Sequence, residues 1–149
     1  MKISAKMHYG LKTMIELAMN AGEKGMLQKQ IAEKHCMPNK YMDTVIHALK
    51  VAGLIVNISG KKSGYKLARV SADITVYDVY RAFEPELRIH FCLADVEICP
   101  RSNACASHCF LLEFNKKMES VLTAASIEEL ANNQANLDLL VSTDGLHPA

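Results

Sequence analysis

The spacing of apolar residues changes once in the first half of the chain, from a helical period to a strand-like one. Residues 3–21 carry apolar side chains at steps of three and four, which predicts an amphipathic helix. Two further helices are predicted at about 27–35 and 40–52, and Gly53 stands where a helix-ending glycine is expected. Residues 54–68 begin with a β-rich run and contain a glycine-bearing turn, which predicts a β-hairpin. Three helices followed by a two-stranded wing make a winged helix-turn-helix.

The second half of the chain predicts further helices, which makes the expected fold mainly α. Thr75 and Asp78 form a capping-box pattern that begins a short helix. Residues 84–104 show no clear period and are expected to form a loop, whereas a long helix begins at about 106. The predicted parts are a winged helix-turn-helix domain over 1–83, a cysteine-bearing loop over 84–105, a long helix and a last C-terminal helix over 106–141, and a tail over 142–149 that is expected to be disordered.

Basic residues are concentrated in the part of the chain that holds the first three helices and the hairpin. Residues 1–81 contain thirteen Lys and Arg against six Asp and Glu, while residues 82–149 contain four against ten. This asymmetry predicts a polyanion-binding face on the N-terminal half, with an uneven but solvated surface as the alternative. The N-terminus has neither a signal-peptide pattern nor a transmembrane run, so we expect a cytoplasmic protein without membrane contact.

In a helix-turn-helix, the recognition helix lies in the DNA major groove and its first residues meet base edges. The third predicted helix begins with polar side chains of this kind, and Asn39 is also expected to be its N-cap. The predicted contacts to double-stranded DNA are Asn39, Lys40, Tyr41, Asp43 and Thr44 at base edges or phosphates, Gln28 and Lys29 at phosphates, and Lys61 and Lys62 of the hairpin turn at the minor groove or its flanking phosphates. Lys40 and the two turn lysines also suit ordinary solvated positions.

Four of the five cysteines fall within eighteen consecutive residues, 92–109, outside the predicted DNA-binding domain. Thiolate and imidazole suit iron–sulfur clusters or zinc, and grouped cysteines in the cytoplasm more often serve metal or redox chemistry than disulfides. The spacing matches neither ferredoxin pattern nor the paired motif of zinc ribbons. A cluster, zinc, thiol redox sensing and inert buried thiols therefore all remain open. Cys36, in the helix-turn-helix connection, is expected to be a structural residue of the core.

Motifs for catalysis are missing from the sequence. It has no phosphate-cradling glycine loop, no nucleophile elbow, no zinc-protease motif and no coherent pair of carboxylates. A nucleophilic pair of Cys105 and His108 is conceivable, but the neighbouring cysteines would expose a catalytic thiol to disulfide formation. The chain is therefore not expected to be an enzyme.

Five motifs occur in order along residues 1 to about 130. They are Met1-Lys2-Ile3-Ser4, Tyr41, Leu49-Lys50-Val51-Ala52-Gly53-Leu54, Gly60 with Gly64-Tyr65-Lys66-Leu67-Ala68, and Ile74-Thr75-Val76-Tyr77-Asp78-Val79. Together they resemble the Rrf family of bacterial winged helix-turn-helix transcription regulators, the group of IscR, NsrR and CymR. The resemblance implies a homodimer with much of its interface on the long helix near 106–124, and a roughly palindromic operator. Many members have Arg-Gly where this chain has Ser59-Gly60, so Lys61 or Lys62 would have to replace the minor-groove arginine.

Cluster-binding members of this family carry three cysteines in the loop before the long helix, and Cys92, Cys99 and Cys105 match that arrangement. The resemblance implies that these three bind an iron–sulfur cluster, for which we favour 2Fe–2S over 4Fe–4S. It also implies that His108, three residues after the last cysteine, is the fourth ligand. Cys109 and His8 of the partner subunit are the alternative fourth ligands.

The leading functional hypothesis is a transcription regulator, such as a repressor, whose operator binding responds to the cluster through redox state, nitric oxide or iron–sulfur status. One alternative is a cluster-free regulator of the same family that senses oxidants through thiols or binds a small molecule. A second alternative, from a different class, is a zinc-stabilised interaction module.

Overall fold

The computed structural model describes residues 3–22, 24–60, 64–94 and 99–144. Within these residues it contains α1 (Ala5–Met19), α2 (Gln28–Lys34), α3 (Asn39–Val51), β1 (Ile55–Asn57), β2 (Tyr65–Leu67), α4 (Val76–Phe83), α5 (Ala106–Ala124) and α6 (Ile127–Asp144). Short 3-10 turns lie at Ser71–Asp73, Phe91–Leu93 and Ser102–Ala104. The mainly α prediction, with a hairpin directly after the third helix and a long C-terminal helix, is confirmed.

The main core lies between the winged domain and the last helix. Its fully buried side chains come from α1 to α4, the wing and α6, and include Met14, Leu17, Ile31, Met42, Val45, Leu49, Ile55, Val79 and Ile127. Burying one aliphatic side chain of this size contributes about 1.5–3 kcal/mol, so these contacts hold the three-helix unit together. Ile127 is fully buried among residues of the first 83, which fixes the start of α6 to the winged domain.

A second, smaller core joins α5 to the winged domain. Met7 of α1, Val76 and Tyr80 of α4, and Leu87 are buried together, and Met118 and Leu122 of α5 pack against them with other half-buried side chains. Burial raises the pKa of the Tyr80 hydroxyl, and the Glu84 carboxylate adds to this effect, so the phenol stays neutral in this core. The long helix therefore contacts the winged domain directly rather than through the loop alone.

The hairpin is tied to the segment that precedes α2. Ile55 pairs with Leu67, and Asn57 with Tyr65, in an antiparallel register. Tyr65 also exchanges two backbone hydrogen bonds with Met26, at 2.8 and 3.0 Å. A side chain at Gly64 would place its Cβ 2.1 Å from the Met26 carbonyl oxygen, so this approach needs glycine. The hairpin turn residues 61–63 lie outside the described residues.

Two predictions near the helix-turn-helix connection are wrong. Asn39 is the first residue of α3 rather than its N-cap; Pro38 takes that position, and its carbonyl oxygen accepts from the Tyr41 N–H at 2.9 Å. Proline is compatible with this N-cap position because its ring fixes φ near the −62° that the backbone adopts here. Cys36 is exposed rather than buried, because it forms the turn itself with a φ of +50°. The helix-ending role of Gly53 is consistent with its φ of +68°.

The last helix is longer than predicted. Ser126 caps it, since its hydroxyl accepts from the Glu129 N–H at 3.1 Å, and α6 continues to Asp144. The hydroxyl groups of Ser142 and Thr143 donate to the carbonyl oxygens of Asp138 and Leu140 within this helix. Residues 142–144 of the predicted disordered tail are therefore helical, and 145–149 lie outside the described residues. No described helix combines the length and apolar character that crossing a membrane requires.

Candidate DNA-binding surface and cysteine segment

The third helix has one buried and one exposed face. Met42, Val45, Ile46 and Leu49 are buried in the core. The predicted DNA-contacting residues Asn39, Lys40, Tyr41, Asp43 and Thr44 are all exposed. This division follows from helical spacing, because the buried residues recur at steps of three and four and leave the remaining positions to solvent. The first residues of α3 are thus exposed to solvent, as contact between a recognition helix and DNA requires.

Gln28 and Asp43 form a contact that the sequence did not indicate. The Gln28 side-chain amide donates to Asp43 Oδ1 at 2.7 Å, across the angle between α2 and α3. Gln28, which was predicted to contact a phosphate, is therefore hydrogen-bonded to Asp43, a predicted base-contacting residue. The hydrogen bond orients the carboxylate and leaves Oδ2 able to accept from a cytosine amino group. Lys29 beside it is exposed and lies 3.7 Å from Glu33 of the same helix.

The side chain of Tyr41 is partly packed against the protein and partly exposed to solvent. Its ring centroid lies 5.8 Å from that of Tyr9 in α1, at an interplanar angle of 50°. The residue remains 38% exposed. The ring is thus packed in part against Tyr9, while the exposed part of the side chain, with its hydroxyl, stays a predicted contact to a phosphate.

His47 is a candidate contact that sequence reasoning missed. It is exposed on α3 and follows Lys40, Asp43 and Thr44 at steps of seven, four and three residues. The spacing was visible in the sequence, and it places these four side chains on one stripe of the helix. Lys61 and Lys62, the predicted wing contacts, lie outside the described residues.

The described part of the cysteine segment forms two 3-10 turns before α5 begins. Cys92 lies in the 3-10 turn Phe91–Leu93, and its N–H donates to His90 Nδ1 at 3.3 Å. The Cys99 carbonyl oxygen accepts from the Ser102 N–H at 3.0 Å, which begins the next 3-10 turn. Cys92, Cys99 and Cys105 are free and half-buried. All three thiols are therefore chemically available as ligands.

Cys105 and His108 are arranged around the first turn of α5. Cys105 is the N-cap, and its Sγ accepts from the His108 backbone N–H at 3.4 Å. The Nδ1 atom of His108 is buried and has no hydrogen-bond partner among the described residues. A buried ring nitrogen without a partner is unfavourable, and a bound metal would satisfy it. Cys109, in contrast, is exposed on another side of the same turn.

The predicted ligands are not gathered into one site. Among the described residues, no group of three or more His, Cys, Asp or Glu side chains could hold a metal ion. Residues 95–98, which connect Cys92 to Cys99, lie outside the described residues. The donor chemistry of three thiols and one unpaired imidazole nitrogen fits an iron–sulfur cluster, whereas the ligand set itself stays a prediction. His8, the alternative ligand, is exposed on α1.

The long helix leaves an apolar surface without a partner. None of the side chains of α5, all of which the structure describes, is fully buried. Phe110 is 67% exposed and Phe114 is 44% exposed, and their rings stack with centroids 6.2 Å apart. A groove of about 650 Å³ lies beside them, lined also by Ile3, Ile89, His90, Leu111 and Met118. Exposed aromatic surface beside an apolar groove is typical of an interaction face.

A winged helix-turn-helix whose third helix presents a polar face to solvent is a DNA-binding domain, and the attached helical arm is typical of transcription regulators. The family model for Rrf2, an iron-dependent transcriptional regulator, matches residues 3–133. The chain is 30% identical over 130 residues to the protein rrf2 of Nitratidesulfovibrio vulgaris, and the alignment covers 87% of each protein. It therefore belongs to the Rrf2 family.

Solved structures agree with this assignment. CymR (YrzC), described as the global cysteine regulator of B. subtilis, superposes with a TM-score of 0.74 at 31% identity, covering 89% of this chain and 98% of CymR. IscR of T. potens superposes with a TM-score of 0.72 at 29% identity, covering 90% and 88%. The resemblance read from the sequence motifs is thus confirmed. The chain is a DNA-binding transcriptional regulator of this family, and because the family is one of regulators, it is not an enzyme.

Proposed function

We propose that this regulator is a homodimer whose binding to a palindromic operator responds to an iron–sulfur cluster held by Cys92, Cys99, Cys105 and His108. The observation that carries the proposal is the buried Nδ1 of His108, which has no partner among the described residues and belongs to a residue whose backbone N–H donates to the Cys105 thiol. Two donors of different chemistry are held within one helical turn, at the end of a segment that supplies two further thiols. A cluster bound there would supply a redox- and nitric-oxide-sensitive group, for which we favour 2Fe–2S.

The long helix is suited to carry such a signal to the DNA-binding half. Its first turn holds Cys105 and His108, and three turns later Met118 and Leu122 pack on Met7 and Tyr80. Its aromatic face is exposed and fits a second copy of the chain. A change in the position of the first turn of α5 would therefore alter both the contact between the two subunits and the packing of α5 against the winged domain. Packed cores of this kind shift between discrete arrangements rather than bending continuously.

The direct test is anaerobic purification followed by absorption spectroscopy and iron and sulfide analysis. The wild-type protein is expected to be coloured, and Cys92→Ala, Cys99→Ala and Cys105→Ala are each expected to abolish or strongly weaken the chromophore. Cys36→Ala is the matched control, because it removes an exposed thiol of the DNA-binding domain and should leave the spectrum intact. A colourless wild-type protein without iron under these conditions contradicts the proposal.

A cluster-free regulator is the second candidate, and one observation favours it. Among the described residues, no three potential ligands are gathered into one group. Such a protein would sense oxidants through thiols or bind a small molecule. The same purification separates the two candidates, because iron-free protein with peroxide-sensitive operator binding supports the cluster-free regulator.

A further inference from the structure

Glu16 of α1 is a buried charge that the proposed function does not use. It is 2% exposed. Its Oε1 accepts from the Lys34 ammonium at 2.7 Å and from the Asn20 side-chain amide at 2.8 Å. Its Oε2 lies 3.0 Å from His35 Nε2. An ionised carboxylate removed from water is strongly unfavourable unless it has such partners, so this network is a specific structural feature rather than an accidental surface pair.

The partners of Glu16 lie at the point where the chain turns into α3. Lys34 is the last residue of α2, and His35 is its C-cap. Cys36 follows with a φ of +50°, a conformation that non-glycine residues rarely adopt. Only Met37 and Pro38 then separate this turn from the start of α3. A strained turn of this kind persists only when surrounding contacts determine it, and the Glu16 network supplies such contacts from α1.

We infer that Glu16 is a positioning residue for DNA recognition. By holding Lys34 and His35 against α1, it fixes the direction in which α3 leaves the turn and therefore where Lys40 and Asp43 stand. This role rests on α3 being the DNA-reading helix. Buried ion pairs often add little net stability compared with apolar packing, but they favour one geometry over others, because any displacement leaves a charge unpaired.

The test compares specific and non-specific DNA binding at one salt concentration. The specific probe is a duplex that the wild-type protein selects from a randomised library, and the non-specific probe is a scrambled duplex of the same composition. Glu16→Gln keeps the size of the side chain and removes its charge. Glu33→Gln is the matched control, since it also removes one negative charge near the same helix end but from an exposed position. Both losses of charge raise the general attraction to DNA.

The readout is the ratio of the two affinities. Glu33→Gln is expected to leave the ratio unchanged, whereas Glu16→Gln should lower it on the order of tenfold, as expected when a hydrogen bond to a charged group is lost. A purely structural role would reduce the folded fraction and lower both affinities together, which leaves the ratio unchanged. Circular dichroism reports folding, and the absorption spectrum of anaerobically purified protein reports any effect on a bound cluster.

The outcomes separate this inference from the assignments on which it depends. If Lys40→Ala lowers the ratio and Glu16→Gln does not, α3 reads DNA but Glu16 does not position it, and the inference is overturned. If Asn39→Ala and Lys40→Ala both leave the ratio unchanged, the DNA-reading assignment of α3 fails instead. Should Glu16→Gln not fold, His35→Ala removes one partner from the same carboxylate, while the Lys34 ammonium still neutralises it and the Asn20 amide still donates a hydrogen bond to it. The same fall in the ratio is then expected, and an unchanged ratio overturns the inference.

Discussion

His108 and Cys109 are neighbours in sequence with opposite surroundings, although either could be the fourth ligand by residue type. The Nδ1 atom of His108 is buried and has no partner among the described residues, while Cys109 beside it in α5 is exposed. Its backbone N–H donates to the Cys105 carbonyl oxygen at 3.1 Å, as in any helix. The structure therefore favours the imidazole, whose unpaired nitrogen a metal would satisfy.

The choice of ligand can be tested with three variants of the anaerobically purified protein. His108→Ala is expected to make the cluster labile, and Cys109→Ala is expected to leave its spectrum unchanged. His108→Cys should keep a cluster at a lower reduction potential, because a thiolate adds negative charge where the imidazole is neutral. The measurements are the absorption spectrum over time and a redox titration. A normal spectrum in His108→Ala together with loss in Cys109→Ala would make Cys109 the ligand.

Among the elements, α4 shows how a local motif sets a helix start. Thr75 Oγ1 accepts from the Asp78 N–H at 3.1 Å, and Asp78 Oδ2 accepts from the Thr75 N–H at 2.9 Å. Arg69 adds a third contact, since its guanidinium donates to Asp78 Oδ2 at 3.1 Å. The capping box thus joins the end of the wing to the helix that carries the second core.

Loss of this cap should be measurable as stability. Thr75→Ala is expected to lower the free energy of unfolding by about 1 kcal/mol, because the Asp78 N–H at the helix start loses its side-chain acceptor. Thr44→Ala is the matched control: Thr44 is exposed within α3, where alanine is the better helix former, so stability should be unchanged or slightly higher. Urea denaturation followed by circular dichroism gives both values. Equal effects at the two positions would show that the cap contributes nothing.

Sequence periodicity was sufficient for the helices and the wing, but not for contacts between distant segments. The helical stripes of α1 and α3 and the Thr75 cap could be predicted because each depends on residues close in sequence. The Gln28–Asp43 hydrogen bond joins positions fifteen apart, and the Glu16 network joins positions eighteen and nineteen apart. Such pairs depend on how the helices cross, which no local pattern specifies. The exposure of Cys36 was missed for a different reason, because residue type alone does not determine which side of a turn faces water.

At the scale of the whole molecule, the two halves of opposite charge are joined by packing on α1. Ile127 at the start of α6 is buried in the main core, and Met118 and Leu122 of α5 lie in the second core with Met7. The rest of α5 and the end of α6 remain largely exposed, and Leu137, Leu139 and Leu140 are each more than half exposed. In the proposed homodimer a second copy would cover this surface, because exposed aromatic surface promotes association.

Disruption of this surface should therefore produce monomers. Phe110→Glu places a charge on the exposed aromatic face of α5, where burial against a second copy would leave it unpaired. Thr123→Glu is the matched control, because it adds the same charge to an exposed position that helical periodicity puts on the other side of the helix. Sedimentation velocity is expected to give a dimer for the wild type and Thr123→Glu and a monomer for Phe110→Glu.

The monomer should also lose most of its affinity for a two-half-site duplex while retaining weak binding to a single half-site. If both variants remain dimers, the interface lies elsewhere, and if the wild type is itself monomeric, the homodimer proposal fails.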